Sequence, residues 1–294
     1  MIPAFLFFFF VEYLLRNIPN DYSLKYNIYK KQGKEFETLI LGSSYALYDL
    51  DPIYFSSRTF NGGHLAQTLD VDASIFHKFE PALTKLKYVI IPISDMSFFF
   101  KMKNSDADWR MTNYSIYYKI HESYKISDYL EIFKLPFSVN RNKLISYYFK
   151  NKNSVTITNL GFGSDYTSGS RRDLNATALE AEILHTIKDY RDFPDEKKSL
   201  EEIVLTCQKR NIRVILFTPP AYSGYVSKID SVQLKKTFST CNYFIENYKN
   251  VRYFNFLTDS SFLDSDYFDA VHLNEIGAKK MSLIMDSVIN QLGN

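Results

Sequence analysis

Cysteine is nearly missing from this chain: Cys207 and Cys241 are the only two among 294 residues. They lack the close pairing, with each other or with histidine, that builds a zinc or iron–sulfur site, so no metal and no cofactor is called for, and a metal-stapled or disulfide-dense fold is excluded. Each lies in a segment of helical periodicity, 199–210 and 232–248. Two buried thiols are the simpler expectation, and a bridge between them would require export to an oxidising compartment. Charge of one sign is missing too. The 35 Lys and Arg nearly cancel the 33 Asp and Glu, for a formal net charge of +2, which leaves no uniform field to hold nucleic acid as a partner. Internal repeats and low-complexity tracts are absent, which excludes a repeat architecture. Tryptophan occurs once, but 23 Tyr and 25 Phe raise the aromatic content to 17%. That suits a well-filled core and equally a groove for sugars or acyl chains.

Long apolar runs are scarce, and the one that stands out is MIPAFLFFFFVEYLL at residues 1–15, apolar apart from Glu12 and closed by Arg16. It falls short of the roughly 20 residues that a spanning helix needs. It is therefore either a signal-type membrane anchor or a buried core helix. Four consecutive Phe at 7–10 leave no polar face, and no small-residue cleavage site follows, which favours a retained anchor. The missing basic flank leaves open whether Met1 is the true start. Expected next are a polar linker over 17–35, broken by Pro19 and Gly33, and an α/β domain over 36–294.

Within that domain, continuous apolar runs at 36–41, 87–93, 212–218 and 251–256 read as buried parallel strands. Helical patterns separate them, at 65–83 among others, and an amphipathic helix closes the chain over 274–292. The alternation predicts a three-layer flavodoxin-like fold, a parallel sheet with helices on both faces. The stretch 97–191 breaks the rhythm. It carries many aromatics, among them Trp109, Tyr114, Tyr117, Tyr118, Tyr147 and Tyr148, and reads as a largely helical insertion following a strand, hence at the carboxyl edge of the sheet as a lid or substrate wall. Its Gly-rich piece 161–173 reads as a mobile loop.

Two segments carry chemistry. LILGSSYALYDLDP, residues 39–52, places Gly-Ser-Ser between a strand and a helix, where a serine hydroxyl reaches the sheet edge beside helix N–H groups that stabilise an oxyanion. A helix-capping turn, or a phosphate or flavin site, would use the same geometry. DAVHLNEIGAKKMS, residues 269–282, sets Asp269 three residues before His272, ahead of the last helix and so at the same edge. His272 can take the proton of Ser44, and Asp269 can orient and stabilise the imidazole.

These segments resemble blocks I and V of the SGNH, or GDSL-like, hydrolase superfamily. Gly42-Ser43-Ser44 is similar to the Gly-Asp-Ser block, with Ser44 as nucleophile and Ser43 in place of the usual Asp. Phe60-Asn61-Gly62-Gly63 is similar to block II, which implies the Gly63 N–H as an oxyanion donor beside that of Ser44. Block III departs from the family: Pro92-Ile93-Ser94-Asp95 has no Asn, which leaves Ser94 or a group of the insertion to replace the third donor. The resemblance covers about two thirds of the chain and is greatest with membrane-associated members that modify cell-surface polymers, similar to proteins of alginate O-acetylation and teichoic acid D-alanylation. It implies a serine esterase or acyltransferase acting on O-acyl groups, acetyl foremost, of a carbohydrate or an acylated small molecule. It also implies a membrane-anchored, extracytoplasmic setting, periplasmic or cell-surface, and a membrane acyl-donor protein as a further partner. A non-catalytic glycan-binding module on the same scaffold is the alternative, motivated by the missing Asn. Of the other histidines, His64, His77, His121 and His185 show no partners in the sequence, although His64 adjoins the block II glycines.

Overall fold

Five short runs, the first four buried almost throughout, align in one parallel sheet: β1 (Thr38–Ile40), β2 (Thr59–Asn61), β3 (Tyr88–Pro92), β4 (Arg213–Thr218) and β5 (Val251–Asn255), in the order β2-β1-β3-β4-β5. This computed structural model describes residues 2–103, 105–120 and 124–293. The register sets Ile40 beside Ile90 and Ile90 beside Ile215. Side chains alternate across a strand, so Ile40, Ile90, Ile215 and Phe217 share one face. They pack with Met281, Met285 and Ile289 of α12 (Glu275–Gly293). The alternate residues Leu39, Val89, Val214 and Leu216 are fully buried as well, so both faces are covered, and all-parallel sheets require that. The α/β architecture with a flanked parallel sheet is thus as the alternation predicts.

Four strands lie within the expected runs. β2 is the addition: three residues of TFN are too short for any periodicity to show. The remaining helices of this part are α3 (Ser44–Asp49), α4 (Leu69–Phe79), α8 (Leu174–His185), α9 (Phe193–Lys209), α10 (Ser223–Val226) and α11 (Ser231–Asn247). Asp230 caps α11 through the amides of Val232 and Gln233, and Asn274 caps α12 through those of Ile276 and Gly277. Cys207 on α9 and Cys241 on α11 are buried free thiols. Burial pushes both up, Cys241 to about 12, so neither is a nucleophile at neutral pH.

The chain divides into two compact units, Gln32–Lys101 with Ile157–Asn294, which holds the sheet, and Met1–Lys31 with Met102–Thr156. The second unit contains α1 (Ile2–Arg16), α2 (Asp21–Gln32, whose last residue lies across the boundary), α5 (Met111–Asn113), α6 (Glu131–Lys134) and α7 (Phe137–Leu144), with π-helical turns at Tyr114–Tyr118 and Ile145–Phe149. Most of the segment expected to be a linker is therefore helix. Asn20 and Ser23 bond reciprocally at its start, Asp21 sits in the first turn, and Lys30 and Lys31 in the last. Capping and dipole complementarity outweigh a weak apolar pattern there. No helix among the described residues is long and apolar enough to cross a membrane. Glu12 explains the polar interruption of α1: its buried carboxylate accepts the amides of Glu131 and Ile132 at 3.0 and 2.9 Å, capping α6, and pairs with Arg16.

Candidate active site

Position follows from strand order. In a 2-1-3-4-5 sheet the connections leave β1 and β3 in opposite directions, opening a crevice at their carboxyl ends. Residues 41–44 leave β1 there. Gly42 has φ +124°, a value L side chains rarely adopt, and a Cβ on it would meet the Pro92 ring at 3.0 Å. Glycine is thus required to turn the chain from β1 into α3, at whose first residue Ser44 sits. The Gly42 amide is held by Asp72 Oδ1 at 2.9 Å. Asp72 also accepts from Gln67 Nε2 at 2.6 Å, and burial raises its carboxyl to about 7.

Ser44, His272 and Asp269 meet at this turn. Ser44 Oγ lies 2.8 Å from His272 Nε2, and His272 Nδ1 lies 3.0 Å from both carboxylate oxygens of Asp269. A carboxylate can only accept, so Nδ1 carries the proton and Nε2 presents its lone pair to the serine hydroxyl. The loop is built for this. Asp269 Oδ1 also accepts the amides of Val271 and His272, at 2.9 and 2.8 Å, and the Ala270 amide donates to Thr177 Oγ1 on α8. Burial opposes charge on His272, but the negative charge and hydrogen bond of Asp269 outweigh it and hold the imidazole above its ordinary value; the same contacts hold Asp269 below the usual carboxylate value despite burial. The His272 side chain keeps 13% of its surface exposed, which leaves it open to a ligand.

A second carboxylate ties the histidine loop to the nucleophile's helix. Asp49, the last residue of α3, is fully buried and accepts the Leu273 amide at 2.9 Å, while its Oδ2 meets no donor among the described residues. Burial raises its carboxyl to about 7 against the opposing pull of His272. The six residues of α3 therefore connect Ser44 at one end to a clamp on the His272 loop at the other. Nothing in the sequence pattern marked Asp49, because its partner is 224 positions away.

The other two candidate oxyanion donors already have partners within the protein. The Gly63 N–H donates to Asn61 Oδ1 at 3.0 Å, and the Ser94 N–H donates to Ser97 Oγ at 2.9 Å while the two hydroxyls share a hydrogen bond. Both amides are committed inside the protein instead of pointing at a bound oxygen. Of the three expected donors, the Ser44 amide alone meets no acceptor among the described residues. Gly63 has a packing role. A Cβ there would stand 2.7 Å from the Ala46 Cβ and 2.9 Å from the Gly42 oxygen. Asn61 completes the contact by donating to the Ala46 carbonyl of α3 and the Leu50 carbonyl just past its end, at 2.6 and 2.8 Å.

Aromatic rings surround the base. Tyr166, on the loop expected to be mobile, is sandwiched between Tyr48 and Phe268, with centroids 3.6 and 3.9 Å away, and Tyr45 and Tyr166 lie 5.1 and 5.4 Å from the His272 ring. The loop is tied down: Ser168 donates twice to Glu275, and the Arg172 amide donates to Phe268. This end of the expected insertion, from Ile157 onward, belongs to the sheet unit.

His185 has a partner that the sequence did not show. Tyr225 donates its hydroxyl to Asp95 Oδ2 at 2.7 Å, and His185 Nδ1 lies 2.9 Å from the same hydroxyl oxygen. Gln233 Nε2 donates to the carbonyls of Asp95 and His185. Asp95, in the block III position, thus serves this buried network. Burial raises Asp95 and lowers His185, each against the pull of the other. His64 is buried with its amide on the Gly42 oxygen at 3.2 Å, and His77 lies 4.0 Å from Glu202. His121 and Met1 lie outside the described residues.

No protein-family profile and no curated protein matches the sequence. Among solved structures, the chain is similar to a protein provisionally described as a platelet activating factor from Streptococcus pneumonia, with TM-score 0.44 and 11% identity over 92% of this chain and 91% of that one. It is also similar to a protein provisionally described as an acylhydrolase, BF3764 from Bacteroides fragilis, with TM-score 0.42 and 14% identity over 90% of this chain and 96% of that one.

Proposed function

We propose that this protein is a serine hydrolase of the SGNH type that cleaves O-acyl esters through a Ser44 acyl-enzyme. The observation that carries the reading is the continuous relay from Ser44 Oγ through His272 to Asp269, at 2.8 and 3.0 Å, in a crevice that keeps the imidazole accessible. In the first half-reaction Ser44 Oγ attacks the ester carbonyl as His272 Nε2 takes its proton. The C–O bond to the alcohol then breaks, and His272 returns the proton to the departing oxygen. In the second half, water or a sugar hydroxyl gives its proton to His272 and attacks the acyl carbonyl; the bond to Ser44 Oγ breaks and His272 returns the proton to Oγ, which restores the serine. Water makes the protein an esterase; a sugar hydroxyl makes it an acyltransferase. Acetyl on a cell-surface carbohydrate, a membrane-anchored extracytoplasmic setting and a membrane acyl donor complete the proposal, motivated by the sequence resemblance and the apolar N-terminal helix.

The internal commitment of the Gly63 and Ser94 amides is the observation favouring the alternative, a non-catalytic glycan-binding module. Each oxyanion donor lost costs on the order of a hundredfold in rate, so two cost about ten-thousandfold: slow turnover is compatible with the enzyme and zero turnover is not. Time-resolved release of p-nitrophenol from its acetate ester separates the two. Turnover that disappears in both Ser44→Ala and His272→Ala supports the acyl-enzyme; identical rates in all three proteins sink it.

A further inference from the structure

The unit formed by residues 1–31 and 102–156 has a composition unlike the rest of the chain. It holds 13 Lys and Arg against 7 Asp and Glu, a balance of +6, so the sheet unit carries −4 within the overall +2. The bias is sharpest over residues 132–156, which contain five basic residues and no acidic one; Lys134 and Lys143 pair with Glu131 just before it, while Arg141, Lys150 and Lys152 are exposed. The same stretch exposes large apolar rings: Phe133, Phe137 at 78%, Tyr148, and Phe149 at 83%. On α1, Leu6, Phe7, Phe9, Phe10 and Tyr13 are likewise each exposed by half or more. The two strips are contiguous. The Phe8 and Phe133 rings approach to 5.5 Å, Tyr148 donates its hydroxyl to the Leu14 carbonyl at 3.0 Å, and Glu12 caps α6.

Exposed aromatic rings interleaved with cations match the interfacial layer of a bilayer, where rings sit at headgroup depth and Lys or Arg meet lipid phosphates. A second copy of the chain fits poorly, since two faces of a +6 unit repel one another. We propose that α1 together with the α6–α7 segment, residues 131–152, forms a docking surface for an anionic lipid bilayer, so that the protein meets the membrane through two elements and not through its N-terminal helix alone. The opposite charge of the sheet unit then selects which unit faces the lipid. This rests on the membrane-associated part of the reading above and is independent of its ester chemistry.

Flotation of the full-length chain with vesicles of phosphatidylcholine alone, or with roughly 30% phosphatidylglycerol, at about 0.1 and about 0.5 M salt tests it. Wild type and Ser44→Ala should float alike, preferring the anionic vesicles at low salt. The exposed pairs Phe137→Ser/Phe149→Ser and Arg141→Glu/Lys150→Glu should each lower partitioning by at least about tenfold, with far-UV circular dichroism unchanged. Flotation of both variants at the wild-type level, no preference for anionic lipid, or no flotation at all would overturn the proposal. So would sedimentation velocity showing a dimer that either variant dissociates. Failure of p-nitrophenyl acetate turnover bears on Ser44 alone and leaves the docking surface standing.

Discussion

The sheet unit contains two constellations made of the same parts, a hydroxyl, an imidazole and a carboxylate, connected in different orders. In Ser44–His272–Asp269 the imidazole stands in the middle; in His185–Tyr225–Asp95 the hydroxyl does. The order decides the chemistry. An imidazole between acid and alcohol has one nitrogen fixed as donor and the other free to accept a proton, and the adjacent carboxylate holds it above its ordinary value. A phenol between acid and imidazole donates to one and accepts from the other, so nothing is left over to react. Burial lowers His185 and raises Asp95, moving both toward their neutral forms. One arrangement leaves a lone pair facing a hydroxyl, as a serine nucleophile would require, and the other satisfies buried polar groups.

The contrast breaks most severely at the hydroxyl and the imidazole. Ser44→Ala or His272→Ala should reduce p-nitrophenyl acetate turnover by about a thousandfold or more, whereas His185→Ala should reduce it by less than about tenfold; equal losses would erase the distinction. Asp269→Asn comes next, with an expected loss on the order of a thousandfold. Its sign on the pH axis is fixed. Protonated His272 cannot accept the serine proton, so activity falls as pH drops through its pKa, and removing the Asp269 charge lowers that pKa. The acid limb of kcat/KM against pH should therefore move to lower pH in this variant.

Asp49 has no counterpart in the second constellation. Its folded value of about 7 lies above the 3.8 of a free carboxyl. Its stabilising contribution is thus complete below about pH 4 and is lost as pH rises through about 7. Asp49→Asn keeps an acceptor for the Leu273 amide and removes the titration. Urea unfolding at a series of pH values should show wild type losing stability relative to this variant by up to about 1.4 kcal/mol per pH unit over that interval. The smallest effect on activity belongs to Tyr225→Phe. It leaves Asp95 and His185 without their shared partner, so thermal unfolding should show a loss of about 1–3 kcal/mol, with the pH profile of the remaining turnover unmoved.

The two constellations were unequally legible. Ser44 stands at a strand-to-helix turn, and Asp269 and His272 are three apart in one loop, so local pattern exposed all three and left only their meeting to be seen. Asp95, His185 and Tyr225 come from three distant segments, and no periodicity relates them. The same holds for Asp49 with Leu273, and for Asn61 clamping α3. The four longer strands were read from their apolar runs, while β2 was too short to register. A glycine in a motif says that backbone comes close, not where its N–H points: Gly63 is needed for its proximity to Ala46, and its N–H is taken by Asn61. The helix over 21–32 was signalled by Asn20 and Ser23 and obscured by its polar sequence.

The buried thiols offer a use separate from any chemistry at Ser44. Both belong to the sheet unit, and the unit containing α1, α2 and residues 102–156 has none. An alkylating mass tag added to the native protein would therefore be taken up only when α9 or α11 swings away from the sheet. Two tags per chain would report the opening of the sheet unit while the other unit stays silent, giving a unit-resolved clock of unfolding without any engineered label.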